Sequence, residues 1–156
     1  MSQAALMRYG ACDPLPEIIP LRAGPLTCTY VAGDLRDIAI GGRVFIRRIY
    51  VAVRDPIWAT APATLHDVEM VRRARSFAVR FRAVHRLGEV HFAWRGLLQG
   101  EEDGTLTYAL DGEALEAFRS NRVGLCVLHA DACAGLPCTV EHVDGSQEQG
   151  RFPEEI

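Results

Sequence analysis

One stretch constrains the fold more than any other. From Thr64 to Glu113 apolar and polar residues alternate with a period of two through four successive segments. With Leu87-Gly88 as a two-residue turn, Phe81 lies opposite Trp94, Ala83 opposite Phe92 and Phe77 opposite Leu98. Closing the next hairpin through Gly100–Gly104 sets Leu98 against Leu106 and Trp94 against Leu110. A turn at Arg72–Arg75 sets Met70 against Phe77 and Val68 against Val79. All three registers gather the apolar residues on one face, and a slip of one residue would scatter them to both. The expectation is a four-stranded antiparallel meander. Gly96 falls between Val79 and Tyr108, and the tyrosine ring is expected to cover it.

The flanking sequence also has period two. "PLTCTYVAGDLRDIAIGGRVFIRRIYVAVRD" reads as three strands broken at Ala32-Gly33-Asp34 and at Gly41-Gly42, where glycine supplies the positive φ of tight hairpins. "DPIWATAPAT" is a proline-punctuated loop. Four of the eight prolines (Pro14, Pro16, Pro20, Pro25) fall in the first 25 residues, so 1–25 is expected to be an extended arm packed on the domain. "GEALEAFRSNR" can hold one helical turn with Leu115 and Phe118 inward. "VGLCVLHA" and "PCTVEHVDGS" add two strands around a loop at Cys133-Ala134-Gly135. About nine strands with little helix predict an all-β antiparallel β-sandwich over 26–156, a single domain at this length.

Charge narrows the function classes. All 17 basic residues are Arg, set against 20 Asp plus Glu, for a formal charge of −3. There is no lysine amine for a Schiff base, and every cation is a fork suited to carboxylates or phosphates. The mild acidity argues against nucleic acid as a partner. No apolar run approaches the ~20 residues that cross a bilayer, and the start has no signal-peptide pattern, so a cytoplasmic chain without membrane partner is expected. An odd set of five cysteines in that setting predicts reduced thiols.

Several constellations could carry chemistry. The polar face of the meander carries Asp67, Glu69, Arg80, Arg82, His91, Arg95 and Asp111, with Arg80 opposite Arg95. That suits a carboxylate ligand unless Asp67, across from Arg80, and Asp111, in the row of Arg82, neutralise it. Cys126, His129, Cys133, Cys138 and His142 are zinc-ligand types, but strand alternation points Cys126 and His129 apart, so no metal and no cofactor is expected. His85, on the apolar face, reads as a satisfied core histidine. Among possible acid–base groups, His142 and Asp144 share a face and Glu141 takes the other. Arg54, Asp55 and Trp58 end an apolar strand at a loop and suit a sugar platform or an interface anchor, or else a loop brace with Trp58 on the core. No catalytic fingerprint occurs. The polar ending "GRFPEEI" reads as a cut in a longer polypeptide.

The stretches "GGRVFIRRIYVAVRDPIWAT", "DGEALEAFRSNRVGLCVLH" and "CAGLPCTVEHVDGSQEQGRFPEEI" resemble the N-terminal region of the D-apionate lactonase family of bacterial sugar-acid catabolism. The resemblance covers most of residues 6–156. It implies a β-sandwich module, similar to galactose-mutarotase-like sandwiches, ahead of a glycosidase-like barrel that holds the lactone-hydrolysing site and a C-terminal β domain. The expected partners are thus a downstream catalytic domain of the same polypeptide and a sugar acid or lactone, with a homodimer through the exposed interface as a further expectation. Family-like positions are Arg54, Asp55, Trp58, Asn121, Arg122, His129, Glu141, His142 and Asp144, none with a catalytic role. Ala130 departs from the family-like pattern, where a proline is expected.

Three functions follow. The first is a non-catalytic module docking on a catalytic domain. The second is a carbohydrate-binding module with Trp58, Trp94 or Tyr108 as stacking platforms. The third is a mutarotase-like epimerase with His91 or His142 as acid and a glutamate as base.

Overall fold

The computed structural model describes residues 15–154. In chain order the strands are β1 (Ile19–Ala23), β2 (Leu26–Val31), β3 (Asp34–Ile40), β4 (Arg43–Arg54), β5 (Ala63–Arg72), β6 (Phe77–Leu87), β7 (Val90–Gly100), β8 (Leu106–Ala114), β9 (Arg122–His129), β10 (Pro137–Glu141) and β11 (Gln147–Arg151). A five-stranded antiparallel sheet, β1-β2-β3-β4-β9, packs on the meander β5-β6-β7-β8, and β10-β11 forms a separate hairpin. The core lies between the two sheets: Leu21, Cys28, Tyr30, Leu35, Ile38 and Val53 meet Phe77, Val79, Phe81, Trp94 and Leu98. Among the described residues no helix is long and apolar enough to cross a membrane.

Turn chemistry explains the first sheet. Ala32 and Gly33 have φ of 47° and 93°, and Gly41 and Gly42 have 56° and 81°, the paired positive values of type I′ hairpin turns. Of the proline-rich segment 1–25, residues 19–23 are β1. This is an edge strand, where Pro20 can sit without breaking a ladder on its open side. Residues 1–14, including Pro14 and Cys12, lie outside the described residues.

The meander has the expected buried face with shifted registers. The turn is Gly88-Glu89, with Leu87 opposite Val90, so Phe81 faces Gly96, Ala83 faces Trp94 and Phe77 faces Gly100. The next hairpin sets Leu98 against Tyr108 and Gly96 against Leu110. Met70 faces Val79. Each pairing moves by two residues from expectation, and a shift of two leaves every side chain on its face. A bulge at Asp67-Val68, with Asp67 at φ 53°, does what a shift of two cannot. It inserts one residue, turning Val68 out to 47% exposure and passing the inward place to Leu65.

Gly96 is covered by Phe81 and not by Tyr108: a Cβ there would lie 2.5 Å from the Phe81 Cζ. Gly96→Ala should therefore cost about 1–3 kcal/mol by overpacking. Urea unfolding should show the loss, and Phe81→Leu in the same chain should recover part of it. A neutral Gly96→Ala would mean the ring does not sit there.

Two further expectations change. Residues 115–121 form no helix, although Phe118 does pack on the core. The end of "EHVDGSQEQGRFPEEI", which by its polar composition is expected to be a tail with almost nothing to bury, contains β11, which pairs with β10. β9 also brings an unforeseen feature. Val123, Leu125 and Val127 lie opposite Val53, Val51 and Ile49, on the face that bears the core. Yet β9 is an edge strand, and these three are 39%, 44% and 46% exposed.

Candidate functional site

The β4–β9 ladder assembles the residues singled out from sequence at one end of the sandwich. Arg54 closes β4 directly opposite Arg122, which opens β9, and the Asn121 N–H donates to the Arg54 carbonyl at 3.0 Å. Between β4 and β5 the chain folds back at Thr60, which bridges to Arg54. Asp55 organises that loop. Its Oδ1 accepts the backbone N–H groups of Ile57 (3.0 Å) and Ala59 (2.9 Å), and its carbonyl accepts that of Trp58 (3.1 Å). The brace thus runs from Asp55 to its own loop, and Trp58 stands 54% exposed instead of folding onto the core. Its backbone is at φ 72°, a costly conformation for a bulky residue. The ring lies 5.5 Å from the Arg54 guanidinium carbon and 6.0 Å from that of Arg122.

The same outer face holds a second pair of opposed arginines, Arg36 and Arg48. Asp34, nearly buried at the β2–β3 turn, accepts from both, at 2.9 Å from Arg36 and 2.8 Å from Arg48. Arg48 also lies 4.1 Å over the Tyr50 ring. Sequence reasoning missed this group. Its signal was an Asp two residues before the first of two outward arginines on neighbouring strands.

The outer face of the meander bears a shallow depression of about 560 Å³ with Arg80, Arg82, Arg95, Glu69 and Asp111 around it. Register corrects the expected pairing. Arg82, not Arg80, opposes Arg95; Arg80 opposes Leu97 and Glu69, in place of Asp67; and Asp111 opposes Arg95. Glu69 on β5 and Asp111 on β8 thus flank the central arginines of this face from the two outer strands. His91 lies apart at its end, its Nδ1 3.1 Å from the Glu116 carboxylate.

The remaining candidates are dispersed. His129 packs on Phe152 with ring centroids 4.7 Å apart. Glu141 accepts from Gln147 at 3.2 Å, and His142 faces Glu148 at 3.6 Å. Asp144 takes the Ser146 N–H and hydroxyl at 2.9 and 2.7 Å, bonds that hold its carboxyl below the usual range. The Cys133 thiol points to the Phe45 carbonyl at 3.7 Å. Among the described residues no group of three His, Cys, Asp or Glu side chains is placed to hold a metal. Cys28 is buried, which pushes its thiol up to about 11.

His85 is 3% exposed and fully satisfied. Trp94 Nε1–H donates to its Nε2 at 3.0 Å, so the proton sits on Nδ1, which donates to the Ala61 carbonyl at 2.8 Å. Tyr108 donates to the Gly33 carbonyl at 2.6 Å. Trp94 is buried in the core and Tyr108 is half-buried with its hydroxyl engaged, which leaves Trp58 as the exposed member of the three suggested platforms.

Comparison with known proteins agrees with the resemblance. The pattern of the family described as D-apionate lactonase, N-terminal domain, matches residues 6–156. D-apionate lactonase from Brucella anthropi is 30% identical over 147 residues, covering 93% of this chain and 24% of the relative. The chain thus spans about a quarter of the length of the curated relative it matches. No solved structure matches it. A β-sandwich whose sequence matches the family pattern along nearly its whole length belongs to the D-apionate lactonase N-terminal domain family.

Proposed function

We propose that this chain is an accessory β-sandwich module of a larger sugar-lactone hydrolase, without catalytic chemistry of its own, which docks through the core-bearing face of β9 on the remainder of the enzyme. The observation that carries this is the row Val123, Leu125 and Val127. These residues continue the core side of the five-stranded sheet onto its edge strand and are left open. Three adjacent branched side chains on an edge strand lose hydration free energy only if something covers them. The commitment to further domains of a lactonase rests on the relative, of which this chain matches a quarter.

A chimera tests this. With this chain in place of the matching quarter of the Brucella anthropi enzyme, the lactone of D-apionate should be hydrolysed, and the chain alone should be inactive. Leu125→Arg should leave the fold of the isolated chain intact, because the position is exposed. In the chimera it should lower the melting temperature and activity together. Turnover by the isolated chain, or an unaffected Leu125→Arg chimera, would overturn the proposal. An isolated chain that sediments as a dimer and is made monomeric by Leu125→Arg would assign the face to a second copy instead.

A further inference from the structure

We infer that Arg54, Arg122 and Trp58 form a binding site for the carboxylate of a small hydroxy acid. Two like charges directly opposed across a ladder destabilise it unless a counter-charge intervenes. The outer face of the five-stranded sheet presents this problem twice and solves it once. Asp34 bridges Arg36 and Arg48. For Arg54 and Arg122, no carboxylate among the described residues lies within 4.0 Å of either guanidinium. Asp55 is next in sequence to Arg54, but its Oδ1 is spent on two backbone N–H groups.

Three observations turn an unpaired couple into a site. The Arg54 Nε is buried and has no hydrogen-bond partner, a costly state that an acceptor oxygen would relieve. Trp58, held at positive φ by the Asp55 clasp, places its ring beside both guanidiniums and restrains them without neutralising them. Gly124, two residues along the ladder from Arg122 and opposite Ala52, has no atom within 4 Å of where its Cβ would be, so there is room next to the pair. The Arg122 Nη1 reaches the Cys126 Sγ at 3.8 Å, a weak acceptor, so two forked cations beside one ring and open ground keep donors for the two oxygens of a planar carboxylate.

The acid class follows from the module reading, on which this part rests. Opening a sugar lactone converts a neutral ring into a polyhydroxy carboxylate, so the site would take the product form and leave the neutral lactone unbound. The carboxylate specificity itself rests on the arginine pair alone.

D-gluconate and D-glucitol, which share a polyol chain and differ in the carboxylate, are suitable probes for calorimetric titration of the 156-residue chain, with Trp58 fluorescence as a second signal. Gluconate should bind saturably in the millimolar range or tighter and glucitol should not. Arg122→Gln, at an exposed strand end, and Arg54→Gln should each weaken gluconate at least tenfold. Arg82→Gln, which removes one of another opposed pair, should leave it unchanged. Thermal melts of each variant show that the fold is kept.

The inference fails if gluconate does not saturate, if glucitol binds equally, or if both arginine variants bind as the parent does. Equal binding of inorganic phosphate would replace a carboxylate site by a general oxyanion site and overturn it as well. The titration needs nothing beyond this chain, whereas docking is read from the chimera, so either conclusion can fail alone.

Discussion

Phe81→Ala is expected to destabilise the domain by about 3–5 kcal/mol, a large share of the roughly 5–15 kcal/mol that holds a domain folded. Phe81 belongs to both sheets' packing. Its ring meets Trp94 edge-on at 5.1 Å, lies 6.5 Å from Tyr30 of the facing sheet, and covers Gly96 across the strand. Removing it opens a cavity whose far wall is a glycine, which has no side chain to move in. The lining therefore collapses poorly, and the cost should fall in the upper half of the range. Urea unfolding should show a lower midpoint with an unchanged slope, and the melting temperature should drop by roughly 6–20 °C. A loss below about 1 kcal/mol would show that the ring is not a member of the core.

His85→Leu is expected to cost about 2–5 kcal/mol, because it strands two buried groups at once, the Trp94 indole N–H and the Ala61 carbonyl. The same residue gives stability a pH dependence. Burial pushes the His85 imidazole below its ordinary value of about 6.5, against a smaller opposing effect of the bond to Ala61. Above that value folded and unfolded chains both carry neutral histidine, and the contribution is complete. As pH falls below it, the unfolded chain binds a proton that the folded chain refuses, so stability declines until the lowered folded value is passed. Unfolding measured between pH 7.5 and 5 should show this decline in the parent chain, and subtraction of the His85→Leu profile should isolate it. An identical slope in the two proteins would mean that His85 takes up its proton as readily folded as unfolded.

Much of the architecture was legible in the residues because side-chain alternation is a local property. Phe77, Val79, Phe81, Ala83 and His85 occupy one face whatever strand lies beside them. An expected register two residues off therefore kept the core-facing positions of β6 and β7 while misplacing every pair, and only the buried Ala93 lies on the other face. The hairpin glycines were equally readable, because positive φ is a requirement of single residues. The His85 reading needed only its parity and its apolar neighbours.

What pattern could not reach depends on partners distant in sequence. The bulge at Asp67-Val68 breaks alternation, and nothing in the composition of β5 marks it. The pairing of β4 with β9 joins segments about 70 residues apart. That pairing alone sets Arg122 against Arg54, leaves the pair without the acid that Asp34 supplies to Arg36 and Arg48, and turns Val123, Leu125 and Val127 onto an open face. The chain's own residues determined a two-faced, glycine-punctuated β fold, through the period of two and the φ demands of its turns. Which charges are answered and which apolar rows are covered was decided by tertiary structure, because both depend on what a strand meets across space and not on its neighbours along the chain.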